Sequence, residues 1–161
     1  MPKTHYLIAL GSNQRHVRFG LPRNIIDVAL SRLEQQGLAV LNKSSTLSSR
    51  PIGPSNRAYA NATAIVETEL EPDALLALLK TIESHFGTRR GQAWSRRVLD
   101  LDIILWSEGS FSDSRPPLTI PHPMMRKRPF VLQPSAEIAP EWRDPVTGLT
   151  IAQIASRKSR Q

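Results

Sequence analysis

Apolar and polar positions alternate in three stretches of the chain, and alternation is the period of a strand. From Lys3 to Leu10 it sets Tyr6, Ile8 and Leu10 on one side. From Ala58 to Leu70 it turns Ala60, Ala62, Ala64, Val66 and Leu70 toward a core, and Tyr59, Asn61 and Thr63 away from it. From Leu99 to Trp106 it sets Leu99, Leu101, Ile103 and Leu105 on one face, with Asp100 and Asp102 on the other. Leu38 to Leu47 and Leu118-Thr119-Ile120 are further strand candidates.

Two segments switch to helical spacing. Ile26, Ala29, Leu30 and Leu33 follow Pro22, and Gly37 is a natural stop. Leu75, Leu79, Ile82 and Phe86 form one stripe after Pro72, a residue that a first helical turn tolerates, and Gly87 ends it. Gly11-Ser12-Asn13 reads as a turn, and 14–20 as a polar loop. Ser48 to Arg57 reads as a loop stiffened by Pro51-Ile52-Gly53-Pro54. Ser107 to Pro117 is a turn-rich connection, and Pro121-His122-Pro123 a stiff corner presenting one imidazole. Phe130 to Ile138 is a short helix, Pro140 to Gly148 a loop, and Leu149 to Ile154 a small terminal helix. The order strand, helix, strand, strand, helix, strand predicts an α+β sandwich of ferredoxin-like type with an antiparallel sheet. It forms one domain over residues 1–161 and ends in an irregular C-terminal extension.

Composition narrows the chemistry. With no cysteine among 161 residues, disulfides, thiolate metal sites and thiol nucleophiles are excluded. The N-terminal stretch lacks the long apolar run of a signal peptide, and no run is long enough to span a membrane, so a cytoplasmic protein without membrane contact is expected. The net charge of +7 points to an anionic partner such as a nucleotide, a phosphate ester or a nucleic acid. Arg89, Arg90, Arg96 and Arg97 precede the aspartate strand; Arg126, Lys127 and Arg128 follow it; Arg157, Lys158 and Arg160 lie in a tail expected to fray.

Aspartate is depleted in strands, so two on one strand face ask for a reason. Their Cα atoms would lie about 6.6 Å apart, twice the rise per residue. Both carboxylates could then serve one hard divalent cation, which takes oxygen ligands and commonly shares substrate phosphates. The plainer alternative is a solvated face paired with Arg96 and Arg97. Tyr59 and Asn61, two residues apart on a strand, could stack on and hydrogen-bond a flat polar heterocycle, or form an ordinary exposed face with a packed tyrosine. Trp94 in the arginine-rich loop has the character of a ligand lid, or of a ring that packs down. Arg126 and Lys127 are equally consistent with solvated surface and with contact. P-loop, dinucleotide-binding, nucleophile-elbow and zinc-ligand spacings are all missing. What remains is carboxylates, arginines and positioning, the inventory of phosphoryl-type transfer.

Several segments resemble one family when taken together: Gly11-Ser12-Asn13, Pro51-Ile52-Gly53-Pro54, Tyr59-x-Asn61, Trp94 to Arg97 leading into Leu99-Asp100-Leu101-Asp102-Ile103, and Ile120-Pro121-His122-Pro123 followed by Arg128-x-Phe130. The family is that of the 6-hydroxymethyl-7,8-dihydropterin pyrophosphokinases, and the match covers nearly the whole chain. The resemblance implies transfer of pyrophosphate from ATP to the pterin hydroxymethyl group, with AMP leaving. It implies that Asp100 and Asp102 bind two Mg²⁺ ions and that Arg89, Arg90, Arg97, His122 and Arg128 contact phosphates. Glu83, Ile103 and Thr119 match positions lining the nucleotide. Tyr59 and Phe130 would sandwich the pterin, Asn61 would read its polar edge, Ser49 and Ile52 would offer backbone groups, and Trp94 would close the site. A monomer is expected. The chain departs from the family pattern at Ser95-Arg96, which replace the usual Gly-Pro, at Arg50, which replaces a second proline, and at Pro117, which replaces a basic residue. The competing readings are a single-stranded nucleic-acid module on a ferredoxin-like sheet, and a folded but inactive family member. Against the former, two aspartates on the exposed face would repel a phosphate backbone.

Overall fold

The computed structural model describes residues 2–13, 16, 18–49, 59–87 and 98–159. Strands β1 (Thr4–Ser12), β2 (Ala39–Lys43), β3 (Leu47–Ser49), β4 (Tyr59–Thr68) and β5 (Asp100–Trp106) form one antiparallel sheet. Its order is β2-β4-β1-β5, with β3 also on β4. Helices α1 (Pro22–Gln35) and α2 (Pro72–Phe86) cover one face. With β2 and β3, which both pair with β4, counted as one broken strand, this is the β-α-β-β-α-β arrangement expected from the order of elements.

The helical stripes do the expected packing. Ile26, Ala29 and Leu33 of α1 and Leu75, Leu79, Ile82 and Phe86 of α2 are buried against Tyr6, Ile8, Leu10, Ala60, Ala62, Ala64 and Val66 of the central strands. Proline opens both helices, where a missing N–H costs nothing. The stretch from Leu38 to Leu47 is not one strand but two. β2 and β3 lie end to end along β4, and Ser44 bridges the break: its N–H donates to Thr63 O at 2.9 Å, and its Oγ accepts the Thr63 N–H at 2.9 Å. Ser48 and Ser49 therefore belong to a strand rather than to the following loop.

The opposite face is covered as well, and by the part of the chain expected to be irregular. After a hairpin of β6 (Phe111–Ser114) and β7 (Pro117–Ile120) come a 3-10 turn (Met125–Lys127), α3 (Pro129–Ile138) and α4 (Ile151–Ser159). Met125, Val131, Leu132, Ile151 and Ile154 build a second core with Leu7, Ala9, Ile104 and Leu105. Two expectations change as a result. Thr63 is buried, not solvated, because α3 lies over its face of β4. Residues 157–159 continue α4 instead of fraying.

Leu105 corrects a third expectation. Leu7 pairs with Leu105 but Ile8 with Ile103, so Ile104 is an extra residue on β5. A bulge of this kind flips the alternation beyond it. Leu99, Leu101 and Ile103 stay in the helix-side core, whereas Leu105 joins the second core.

Candidate active site

Among the described strands of this sheet β5 pairs only with β1, so the aspartates stand at one edge of it. Asp100 is exposed and Asp102 half-buried. Residues opposite one another in register share a face. Gly11 lies opposite Asp100 and, on its other side, opposite Asn61; Ala9 lies between Asp102 and Thr63 in the same way. The middle strand thus offers a bare backbone and one methyl group between larger neighbours. With strands about 4.8 Å apart, Asn61 and Asp100 flank a trough roughly 10 Å wide between backbones. A Cβ at Gly11 would lie 3.1 Å from Asn61 Oδ1, so glycine is what keeps the floor clear.

Above this floor lies a cavity of about 500 Å³, lined by Gly11, Ser12, Asn13, Leu47, Ser48, Tyr59, Asn61, Asp100 and Phe130. Tyr59 begins β4, and Phe130 stands in the first turn of α3. The two rings are 42% and 44% exposed, a large apolar area for a protein to leave uncovered. A second hollow of about 90 Å³ shares Gly11, Asn61, Asp100 and Phe130, and adds Asp102 and Arg128. The aromatic cavity and the hollow that holds both carboxylates therefore share a wall.

The β5 bulge has a use here. Ile104 O accepts the His122 backbone N–H at 2.9 Å, which seats the Pro121-His122-Pro123 corner beside the aspartate strand. His122 Nδ1 accepts the Met124 N–H at 3.1 Å. Burial holds this imidazole below its ordinary pKa; the nearby Asp102 carboxylate opposes that shift and Arg128 reinforces it. A neutral ring with Nδ1 accepting carries its proton on Nε2 and offers it as a donor. The Arg128 guanidinium lies 5.8 Å from the centre of the Phe130 ring.

Other expected site residues are placed less directly. Glu83 is buried at the end of α2, where Oε2 accepts the Leu101 N–H at 2.7 Å and Oε1 lies 3.2 Å from Lys80 Nζ. It satisfies an edge-strand N–H that meets no neighbouring strand among the described residues. The Ile103 side chain is buried on the helix side, so only its backbone can reach a ligand. Thr119 is exposed on β7 and lines a separate concavity of about 440 Å³ with Phe111, Ser112, Pro121, Pro123, Arg126 and Val146. Ser49 closes β3 opposite Tyr59. Ile52, Arg89, Arg90, Trp94 and Arg97 lie outside the described residues, as do the departures at Arg50 and Ser95-Arg96. Arg126 is not solvated surface: it pairs with Asp144. Gly11, Ser12, Asn13, Leu47 and Ser48 line the cavity although sequence reasoning gave them no site role. The Gly11-Ser12-Asn13 motif is the available signal for the first three, although Gly11 and Ser12 end β1 instead of forming the expected turn; the other two depend on the β3–β4 register, which no local pattern reveals.

Among the described residues there is no cluster of three His, Asp or Glu side chains that could hold a metal by itself. Asp100 and Asp102 supply oxygen donors only. That suits Mg²⁺, which typically uses one or two carboxylates and completes its shell with water and substrate phosphates. No helix among the described residues is long and apolar enough to cross a membrane.

A ferredoxin-like sandwich whose aromatic cavity adjoins two carboxylates and Arg128, with His122 near Asp102, suits a phosphotransferase-type enzyme acting on a small flat substrate. A family model described as 7,8-dihydro-6-hydroxymethylpterin-pyrophosphokinase (HPPK) matches residues 7–140, and the chain belongs to that family. It is 41% identical over 148 residues to the 2-amino-4-hydroxy-6-hydroxymethyldihydropteridine pyrophosphokinase of Synechocystis, covering 92% of this chain and 73% of that one. The Haemophilus influenzae enzyme of the same name is 40% identical over 134 residues, covering 82% and 79%. Among solved structures, an HPPK-DHPS in complex with substrates superposes with a TM-score of 0.75 at 13% identity, over 98% of this chain and 45% of that one. Wild-type Plasmodium falciparum HPPK-DHPS gives 0.70 at 14% identity, over 97% and 41%. At such identities the likeness establishes the fold, and this chain spans less than half of those longer ones.

Proposed function

We propose that the chain transfers pyrophosphate from ATP to the hydroxymethyl oxygen of 6-hydroxymethyl-7,8-dihydropterin, in the synthesis of folate. The hydroxymethyl oxygen forms a bond to the β-phosphorus and gives up its proton to water, the bond from that phosphorus to the α,β-bridging oxygen breaks, and AMP leaves with the bridging oxygen. Family membership carries the reaction. The observation that carries the site is continuity: Gly11, Asn61, Asp100 and Phe130 line both the aromatic cavity and the hollow holding Asp102 and Arg128. A ring held in the first would direct its substituent toward the second.

The family resemblance supplies the residue roles, and the placement of the described residues supports those of Tyr59, Asn61, Asp100, Asp102, Arg128 and Phe130. Tyr59 and Phe130 hold the ring between them, and Asn61 pairs with its polar edge; Ser49 and Ile52 contribute backbone groups. Asp100 and Asp102 would hold two Mg²⁺ ions, which supply neutralisation of charge on the attacking and leaving oxygens. His122 offers Nε2–H, and Arg128 a planar fork, to phosphate oxygens. By the family resemblance, Arg89, Arg90 and Arg97 add positive charge for the phosphates and Trp94 closes the site. Glu83, the Ile103 backbone and Thr119 border the nucleotide. A monomer is the expected acting form; light scattering during turnover checks this.

The test of the site is differential binding. Phe130→Ala should weaken the pterin by about 1–3 kcal/mol, the usual loss when a stacking ring is removed, and a nonhydrolysable ATP analogue much less. Calorimetric titration of each ligand in Mg²⁺ measures both. Equal weakening of the two would remove the ring sandwich.

A further inference from the structure

His122 and Arg128, assigned to the phosphate end of the site, stand on a segment with little regular structure. Between them lie Pro123, Met124 and one 3-10 turn, Met125–Lys127. The His122 N–H on Ile104 O fixes one end, and Arg128 O, which accepts the Val131 and Leu132 N–H groups, fixes the other. The side chain in the middle of the turn, Arg126, lines the concavity that also holds Thr119 and reaches the loop between α3 and α4. Its Nε donates to Asp144 Oδ2, and its Nη2 to Oδ1 at 2.8 Å.

Asp144 is completely buried. The Val146 N–H donates to Oδ1 at 3.0 Å and the Thr147 hydroxyl to Oδ2 at 2.9 Å, so four donors fill the carboxylate's lone pairs. Its own N–H donates to Leu149 O, and its carbonyl accepts the Gly148 N–H, both at 2.8 Å. Burial pushes this carboxyl up, but the Arg126 fork, the Val146 and Thr147 donors and the arginine charge outweigh burial and hold it down to about 2. It is therefore ionised throughout the neutral range. A loop joining two helices has no need of a buried charge, and buried ion pairs seldom add stability over apolar packing. Their best-attested use is to fix register, and here the pair joins the C-terminal loop to the one turn between His122 and Arg128.

We propose that Asp144 is a positioning residue for the transfer reaction: through the Arg126 fork it fixes the 3-10 turn and so sets His122 and Arg128 against the phosphates. This rests on the phosphate role given to those two residues above.

The experiment is a coupling cycle. Asp144→Asn keeps size but loses charge and one acceptor; Arg126→Lys keeps charge but loses the fork. Asp144→Asn should lower kcat/KM for ATP about tenfold, well within what a misplacement of 1 Å costs, and change pterin affinity less than about twofold. Arg126→Lys should act in the same direction, and it carries the cycle if Asp144→Asn does not fold. In a His122→Ala/Arg128→Ala background either change should cost less than about twofold, because the side chains it positions are gone. The same loss in both backgrounds, or no loss in the single variants, overturns the proposal. Full activity in the His122→Ala/Arg128→Ala variant alone instead removes their phosphate role, and the positioning role with it.

Discussion

Gly11→Ala separates stability from binding because the two should move in opposite directions. Gly11 lies in the middle row of the trough, opposite both Asn61 and Asp100, and its φ is not in the left-handed region, so the backbone tolerates alanine. A strand interior gains roughly 0.5–1 kcal/mol when glycine gives way to alanine, since the unfolded chain loses freedom. For a chain of this size that raises Tm by about 2 °C. The new methyl would meet Asn61 Oδ1 at 3.1 Å, closer than ordinary contact, and the amide must retreat. A retreat of about 0.5 Å takes a hydrogen bond of normal length beyond its useful range. Losing one such bond to a polar ring costs about 0.5–1.5 kcal/mol, roughly a two- to thirteenfold rise in pterin Kd. The assay is a thermal melt beside calorimetric titration of the pterin with Mg²⁺ and a nonhydrolysable ATP analogue. A raised Tm with unchanged pterin Kd would show that Asn61 does not read the substrate and that the trough is not the pterin floor.

Three further outcomes follow from the same geometry. Asp100→Ala and Asp102→Ala should each lower kcat by about 10²–10³-fold, the scale for removing a group that stabilises transition-state charge, and leave the melting transition cooperative; near-normal turnover in Mg²⁺ would rule out the carboxylate pair as the metal ligands. Asp144, held at about 2 against an ordinary 3.8, binds fewer protons folded than unfolded, so its share of stability is present above pH 4 and is lost as pH falls from there toward 2. That share is about 2 kcal/mol, and urea titrations between pH 6 and 2 should show a shallower acid loss in Asp144→Asn, whereas an identical slope contradicts it. Tyr6 is fully buried, with its hydroxyl donating to Leu70 O at 2.7 Å and its pKa pushed up to about 12, chiefly by burial, so Tyr6→Phe should cost about 1 kcal/mol of stability and leave kcat unchanged; an activity loss without destabilisation would give the ring a role it lacks here.

The periodic elements could be read from sequence because local pattern and tertiary burial agree in them. The α2 stripe and the alternating alanines of β4 were legible for that reason. The misses share a different cause: each depends on a partner distant in the chain. Leu105 changes face because Ile104 bulges against β1, and a bulge leaves no trace in a run of apolar residues. Thr63 looked solvated because the helix that covers it begins sixty-six residues later, at Pro129. β6 was read as turn because its serines and aspartate are turn residues; its pairing with β7 overrides that preference. Arg126 could not be told from surface charge until Asp144 was seen beneath it. The aspartate pair and the Tyr59–Asn61 pair were visible because strand alternation alone puts each pair on one face. The trough between them was not, since it needs the register of β1 with both neighbours.

The most direct measurement is one incubation with ATP, Mg²⁺ and 6-hydroxymethyl-7,8-dihydropterin, followed by separation of the nucleotides. AMP formed in step with pterin diphosphate, and only when the pterin is present, is the expected result. ADP in its place, or AMP formed without the pterin, would contradict pyrophosphate transfer at this site.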